Sequence, residues 1–106
     1  MPDIEYTLDD MTFNWNEIKA EINKRKHGIS FQEAASAFSD TNAQFYDDEE
    51  HSDDEERFLL LGYSEMSRML MICHCYRGID TEIIRIISAR EATPQERQKY
   101  EKRGSV

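Results

Sequence analysis

Cysteine, proline and glycine are all scarce in this 106-residue chain, at two, two and four residues. Cys73 and Cys75 stand two apart in one apolar stretch. On a strand they share a face, and same-face neighbours on one strand do not meet disulfide geometry. With no CxxC motif and no second pair, a zinc site has no framework either, and both thiols read as small buried hydrophobes. No apolar run approaches the roughly 20 residues of a membrane span. Residues 1–10 are too polar and acidic for a signal peptide. The expectation is a cytoplasmic protein without membrane contact, built as one domain around one modest core.

Positive charge is also in deficit. Thirteen Lys and Arg residues face 22 Asp and Glu, a net charge of −9, which by itself argues against nucleic-acid binding. The excess is local. Residues 47–56 hold eight acids in ten, and outside them 14 acids face 13 bases. The remainder is close to neutral, so a local basic face has room to exist. The acidic run reads as a solvated loop or as a docking site for a basic partner segment.

Residues 1–12 show no helical stripe and are expected as a flexible extension before a single domain over residues 13–103. Asn14 suits a helix cap, with Glu17 three positions on. Trp15, Ile18 and Ile22 then recur at helical spacing as a narrow apolar stripe. Lys24, Arg25 and Lys26 suit the negative end of the dipole, and Gly28 supplies the left-handed stop. Ser30-Phe31-Gln32-Glu33 opens a second helix with a capping box, followed by the core stripe Phe31, Ala34, Ala35 and Phe38. Strand-like segments follow at 43–46, 57–64, 69–76 and 81–89, joined by turns at 65–68 and 77–80. Thr93-Pro94-Gln95-Glu96 starts a final helix. The order predicts an α+β fold: two N-terminal helices packed on a small antiparallel sheet of three to four strands, then a C-terminal helix.

Several pieces, in order and with their spacings, resemble the BrnT toxin family over roughly residues 13–100. They are Phe13-x-Trp15, Lys19, Asn23 and Lys26-His27-Gly28-Ile29-Ser30-Phe31-x-Glu33-Ala34, then Asp48, His51-Ser52, Glu55-Glu56-Arg57-Phe58 and Gly62. The strongest block is Arg85-Ile86-Ile87-Ser88-Ala89-Arg90-x-Ala92, leading to Glu96-Arg97-x-x-Tyr100. The resemblance implies a RelE-like arrangement and a type II toxin that cleaves RNA and inhibits translation without a metal or other cofactor. It implies a BrnA-like antitoxin that neutralises the toxin and brings the complex to operator DNA, and it leaves open a homodimer or a higher complex. Residues 68–76 depart from the family's valine-rich strand, and the acidic balance sits badly with RNA. The alternative is a weak or inactive family member that acts by binding its antitoxin.

In metal-independent RNA cleavage the ribose 2′-OH attacks the adjoining phosphate. The protein must take that proton, hold the charge on the phosphate and protonate the leaving 5′ oxygen. Arginine forks suit the phosphate, which makes Arg57, Arg85 and Arg90 catalytic candidates. Arg85, between Ile84 and Ile86, lies on a working face or answers a buried acid. Arg90 joins the site or is solvated at the strand's end. Arg57 joins the site or pairs with the preceding glutamates. His27 is placed for proton transfer or for closing the helix carbonyls, and Glu55 is a candidate base or part of the solvated loop. Lys26 suits RNA steering, and Tyr100 suits stacking on a base or packing of the last helix. His51 reads as fixing its loop, and His74 as a core histidine.

Overall fold

A computed structural model of the chain describes residues 2–51 and 55–104. The chain opens with strands: β1 (Asp3–Leu8) and β2 (Met11–Asn16) pair as an antiparallel hairpin. Ile4, Tyr6 and Leu8 alternate with polar residues, as do Met11, Phe13 and Trp15, so one face of the hairpin is apolar. Asp9 and Asp10 both take positive φ, 51° and 65°, which gives the two-residue turn the twist of its strands. The expected extension is thus corrected, since residues 3–12 hold β1, the hairpin turn and the start of β2. The expected cap moves too. Asn16, not Asn14, starts α1 (Glu17–His27), its Oδ1 accepting the Lys19 N–H at 3.0 Å.

Gly28 ends α1 at φ 73°, and α2 (Phe31–Ser36) follows at once, capped by the Ser30 hydroxyl. A short 3-10 turn leads to β3 (Gln44–Asp47), then β4 (Phe58–Tyr63), β5 (Met69–Arg77), β6 (Ile83–Glu91) and α3 (Pro94–Gly104). The α+β class stands, but the helices do not come first, and among the described residues the sheet has six strands, in the order β1-β2-β6-β5-β4-β3. Its neighbours are antiparallel except β2 and β6, which run parallel.

α1 and α2 cover one face. Phe13, Trp15, Ile72 and Ile86 meet Phe31, Ala34 and Ala35 there, with Trp15 edge-on to Phe31 at 5.8 Å. Gly62 lets the turn after α2 approach, because a Cβ on it would come within 3.2 Å of the Ala37 carbonyl oxygen. α1 does not seat itself as its apolar spacing predicts. Ile18 and Ile22 are 49% and 56% exposed, while Asn23 is the buried residue of the helix. On the opposite face, α3 packs through Tyr100, which stands edge-on to Tyr63 at 5.2 Å beside Leu61 and Met69. None of the described helices is long and apolar enough to cross a membrane.

A bulge in β6 sets up the site. Cys73 pairs with Ser88 but His74 pairs with Ile86, so Ile87 is an extra residue in the ladder. On an unbroken strand Arg85 and Arg90 would point to opposite faces. With the bulge, Arg85, Ser88 and Arg90 stand opposite Cys75, Cys73 and Met71, all on the face away from α1 and α2.

Candidate active site

On that face a cleft of about 430 Å³ lies over β4, β5 and β6. Its floor includes Leu59, Met71 and Cys73, and its polar walls carry His27, Asp48, Glu50, Arg57, Ser88 and Arg90. His27 arrives from the end of α1, which reaches the outer edge of β6. Asp48 follows β3 and is 7% exposed. It is tied to the entry of β4 by its N–H, which donates to the Arg57 carbonyl at 2.9 Å.

Asn23 holds the two halves of this arrangement together. β6 pairs with β2 only as far as Arg85, so its outer edge has no strand beside it at Ala89. The Asn23 amide takes the strand's place. Its Oδ1 accepts the Ala89 N–H at 3.1 Å, and its Nδ2 donates to the carbonyls of Ala89 and Ile29 at 2.9 and 3.0 Å. One side chain thereby fixes the end of α1, with His27, beside the Ser88–Arg90 segment.

Arg90 is oriented from the other side. Its Nη1 and Nη2 donate to the Glu96 carboxylate at 2.8 and 2.9 Å, and Nη1 also reaches the Glu91 carbonyl at 3.2 Å. The guanidinium holds the Glu96 carboxyl below the usual carboxylate range. Glu96 also closes the capping box of α3. It accepts the Thr93 N–H at 2.8 Å, while its own N–H donates to the Thr93 hydroxyl at 3.2 Å. Five N–H donors on an arginine leave Nε and one Nη2 proton of Arg90 for a phosphate. The Cys73 thiol donates to Asp48 Oδ2 at 3.5 Å, and burial followed by this carboxylate pushes its pKa up to about 12. At neutral pH Cys73 is therefore a thiol, not a nucleophile.

The sequence model of the family described as "Ribonuclease toxin, BrnT, of type II toxin-antitoxin system" matches residues 15–96. The chain belongs to the BrnT family. Membership makes it a ribonuclease toxin of a type II toxin-antitoxin system and implies an antitoxin partner. The crystal structure of the Brucella abortus ribonuclease toxin, BrnT, is similar in fold. It matches with a TM-score of 0.55 and 22% identity over 74% of this chain and 92% of that one. Comparison with curated proteins finds no match. Every cleft residue of this BrnT chain lies inside the family match, whereas β1 lies outside it.

The sequence candidates of this BrnT chain divide. His27, Arg57 and Arg90 meet at the cleft. Arg85 shares their face but does not line it. Its Nη1 donates to Asp3 and to Asn14, each at 3.1 Å. Glu55 pairs with Arg77 at 2.9 Å, away from the cleft wall. Lys26 borders a neighbouring groove with Lys19 and His27. Tyr100 donates to Asp40 Oδ2 at 2.8 Å while packing on Tyr63, so it is occupied as a helix anchor. The side chain of His51, with Ser52, lies outside the described residues. His74 is fully buried among Phe38, Phe45, Phe58 and Tyr76, and burial lowers its pKa to about 4. Reasoning from the sequence did not single out Asp48, Asn23 or Glu96 as parts of a site. The resemblance contained all three, but an acidic run accounted for Asp48 and a capping box for Glu96, while Asn23 falls outside the apolar stripe of Trp15, Ile18 and Ile22.

Proposed function

We propose that this BrnT chain is a cytoplasmic endoribonuclease that cuts RNA at the cleft over β4, β5 and β6 and so inhibits translation until a BrnA-like antitoxin binds it. The observation that carries the reading is the meeting of two arginines, a histidine and a carboxylate from four separate segments on one concave surface. Arg57 and Arg90 hold the phosphate, so the chain itself supplies the positive charge that the transition state needs. Asp48 and His27 exchange the protons. One takes the 2′-OH proton as the new O–P bond forms, and the other protonates the departing 5′ oxygen as the old bond breaks. The products are a 2′,3′-cyclic phosphate and a 5′-hydroxyl. Arg85, Lys26 and Tyr100 are left outside the chemical step. Operator DNA enters only through the antitoxin complex.

Asp48 and Glu50 beside the arginines favour a second reading, a family member that binds its antitoxin without cutting RNA. Purified chain incubated with RNA in the presence of a chelator separates the two. Cleavage with cyclic-phosphate ends is expected. Arg57→Ala and Arg90→Ala should each lower kcat by about 10²–10³, the scale for losing one donor to a developing oxyanion. Intact RNA after incubation with folded wild-type chain refutes the nuclease and leaves the binding protein.

A further inference from the structure

The outer face of α1 remains unexplained by the fold or by the cleft. Two branched apolar side chains, Ile18 and Ile22, stand half in water one turn apart. Scattered apolar residues on a surface need no explanation, but two adjacent ones lining a groove that leads toward the cleft mark a candidate contact site. A shallow groove of about 410 Å³ runs along Ile18 and Ile22. A second, of about 240 Å³, shares Ile22 with the first and His27, Ile87 and Ser88 with the cleft. The apolar ridge therefore continues from α1 across Ile87 to the mouth of the candidate active site. Its flanks differ in charge. Glu17 and Glu21, with Arg25 one turn beyond them, border it on one side, and Lys19 and Lys26 on the side toward β6.

We infer that this ridge seats an amphipathic helix of the antitoxin, which neutralises the toxin by closing over the cleft. Family membership requires a protein partner, and the surface specifies its chemistry. The helix carries apolar residues three or four apart, Lys or Arg along the edge that meets Glu17 and Glu21, and Asp or Glu along the edge that meets Lys19 and Lys26. From Ile18 to His27 the surface spans about 14 Å at 1.5 Å per residue, so roughly ten helical residues cover it. A second copy of the chain is the competing occupant, but the antitoxin is the partner that family membership requires. The docking mode stands by itself, but its consequence, inhibition, rests on the cleft being the site of RNA cleavage.

The test pairs the doubly substituted chain Ile18→Glu/Ile22→Glu with the purified cognate antitoxin, using titration calorimetry and RNA cleavage. Both residues lie outside the cleft and the core, and a urea midpoint equal to that of wild type checks the fold. The expected result is antitoxin affinity lowered about 100-fold, as loss of two buried anchors implies, with cleavage by the free variant unchanged. Charge reversal at Glu17→Lys/Glu21→Lys should lower affinity about tenfold through one edge only. An affinity within about threefold of wild type for both variants overturns the inference. So does a wild-type dimer that the isoleucine variant abolishes while antitoxin binding persists, since the face then serves a second copy. If wild type leaves RNA intact but binds antitoxin through Ile18 and Ile22, the nuclease reading fails and the docking surface stands.

Discussion

Asn23 offers a sharp test of how the site is assembled. Replacing it with alanine strands three buried backbone groups at once: the Ala89 N–H, the Ala89 carbonyl and the Ile29 carbonyl. Ala89 and Ile29 are fully buried. Each unsatisfied buried group costs about 1–3 kcal/mol. If water enters the vacated space and serves one carbonyl, about 3 kcal/mol remains, a large part of the roughly 5–15 kcal/mol that holds a domain together. Urea unfolding followed by Trp15 fluorescence reads this directly, because Trp15 packs in the same core. Asn23→Asp sharpens the argument, since it keeps the shape but sets a carboxylate oxygen against two carbonyls. Its folded-state pKa must therefore rise above the unfolded value, so the variant loses stability as pH rises between the two values and recovers it toward pH 4. The stability difference between Asn23→Asp and Asn23→Ala at matched pH isolates that effect from every other titration. An Asn23→Ala cost below about 1 kcal/mol, or a pH-independent difference, refutes the role of this side chain as a substitute strand.

Three further outcomes follow from buried ionisable groups elsewhere in the fold. His74, with its pKa lowered to about 4, binds its proton more readily unfolded than folded. Stability should therefore fall as pH drops from 6.5 toward 4, by on the order of 3 kcal/mol, and His74→Leu should lack that part of the pH dependence. Glu33 is buried, and its carboxylate accepts from Arg68 Nε at 2.9 Å and from the Ser64 hydroxyl at 2.7 Å. Arg68→Ala leaves a buried charge and should cost about 3 kcal/mol, the low end for a broken buried pair because Arg68 is itself a third exposed. Arg68 chiefly keeps the Glu33 pKa low, so this pair stabilises above the unfolded carboxyl pKa and is lost as pH falls through the folded one. In Arg68→Ala the pH dependence should reverse, since burial, which raises the carboxyl, outweighs the remaining Ser64 hydrogen bond, which lowers it.

The helical punctuation was legible because it is local chemistry. Gly28 stops α1, Ser30 caps α2, and Thr93 with Glu96 boxes α3, each as its residue type dictates. The first hairpin was equally legible in principle: Ile4, Tyr6, Leu8 and Met11, Phe13, Trp15 alternate around Asp9-Asp10. The turn itself gives a weak signal, because two adjacent aspartates at positive φ are less usual than Asn-Gly. The α1 stripe misleads because three apolar residues at helical spacing imply an inward face, whereas Trp15 belongs to β2 and the helix seats itself through Asn23. Of the candidate site, residue types were readable and convergence was not. Whether Arg85 or Arg90 reaches the cleft depends on one extra residue in β6 and on which carboxylate lies nearer. Both are settled by tertiary register and not by local sequence.

The charge of the chain turns this arrangement into a measurable property of RNA binding. A basic nuclease draws RNA by neutralising many phosphates, and its affinity falls steeply with salt. Here the net charge is −9, Arg85 and Arg77 do not line the cleft, and phosphate contact in it falls to Arg57 and Arg90, which do. Two neutralised phosphates on a single strand give a slope of log affinity against log salt of about −1.4. Raising salt from about 50 to 200 mM should then weaken RNA binding only about sevenfold. Screening of repulsion from the acidic residues pushes the slope shallower still. Measured by fluorescence anisotropy with a non-cleavable 2′-deoxy oligonucleotide, a slope near −1 supports a local guanidinium clamp. A slope steeper than about −4 requires several more cationic contacts than the cleft contains and rejects it as the principal RNA-binding surface.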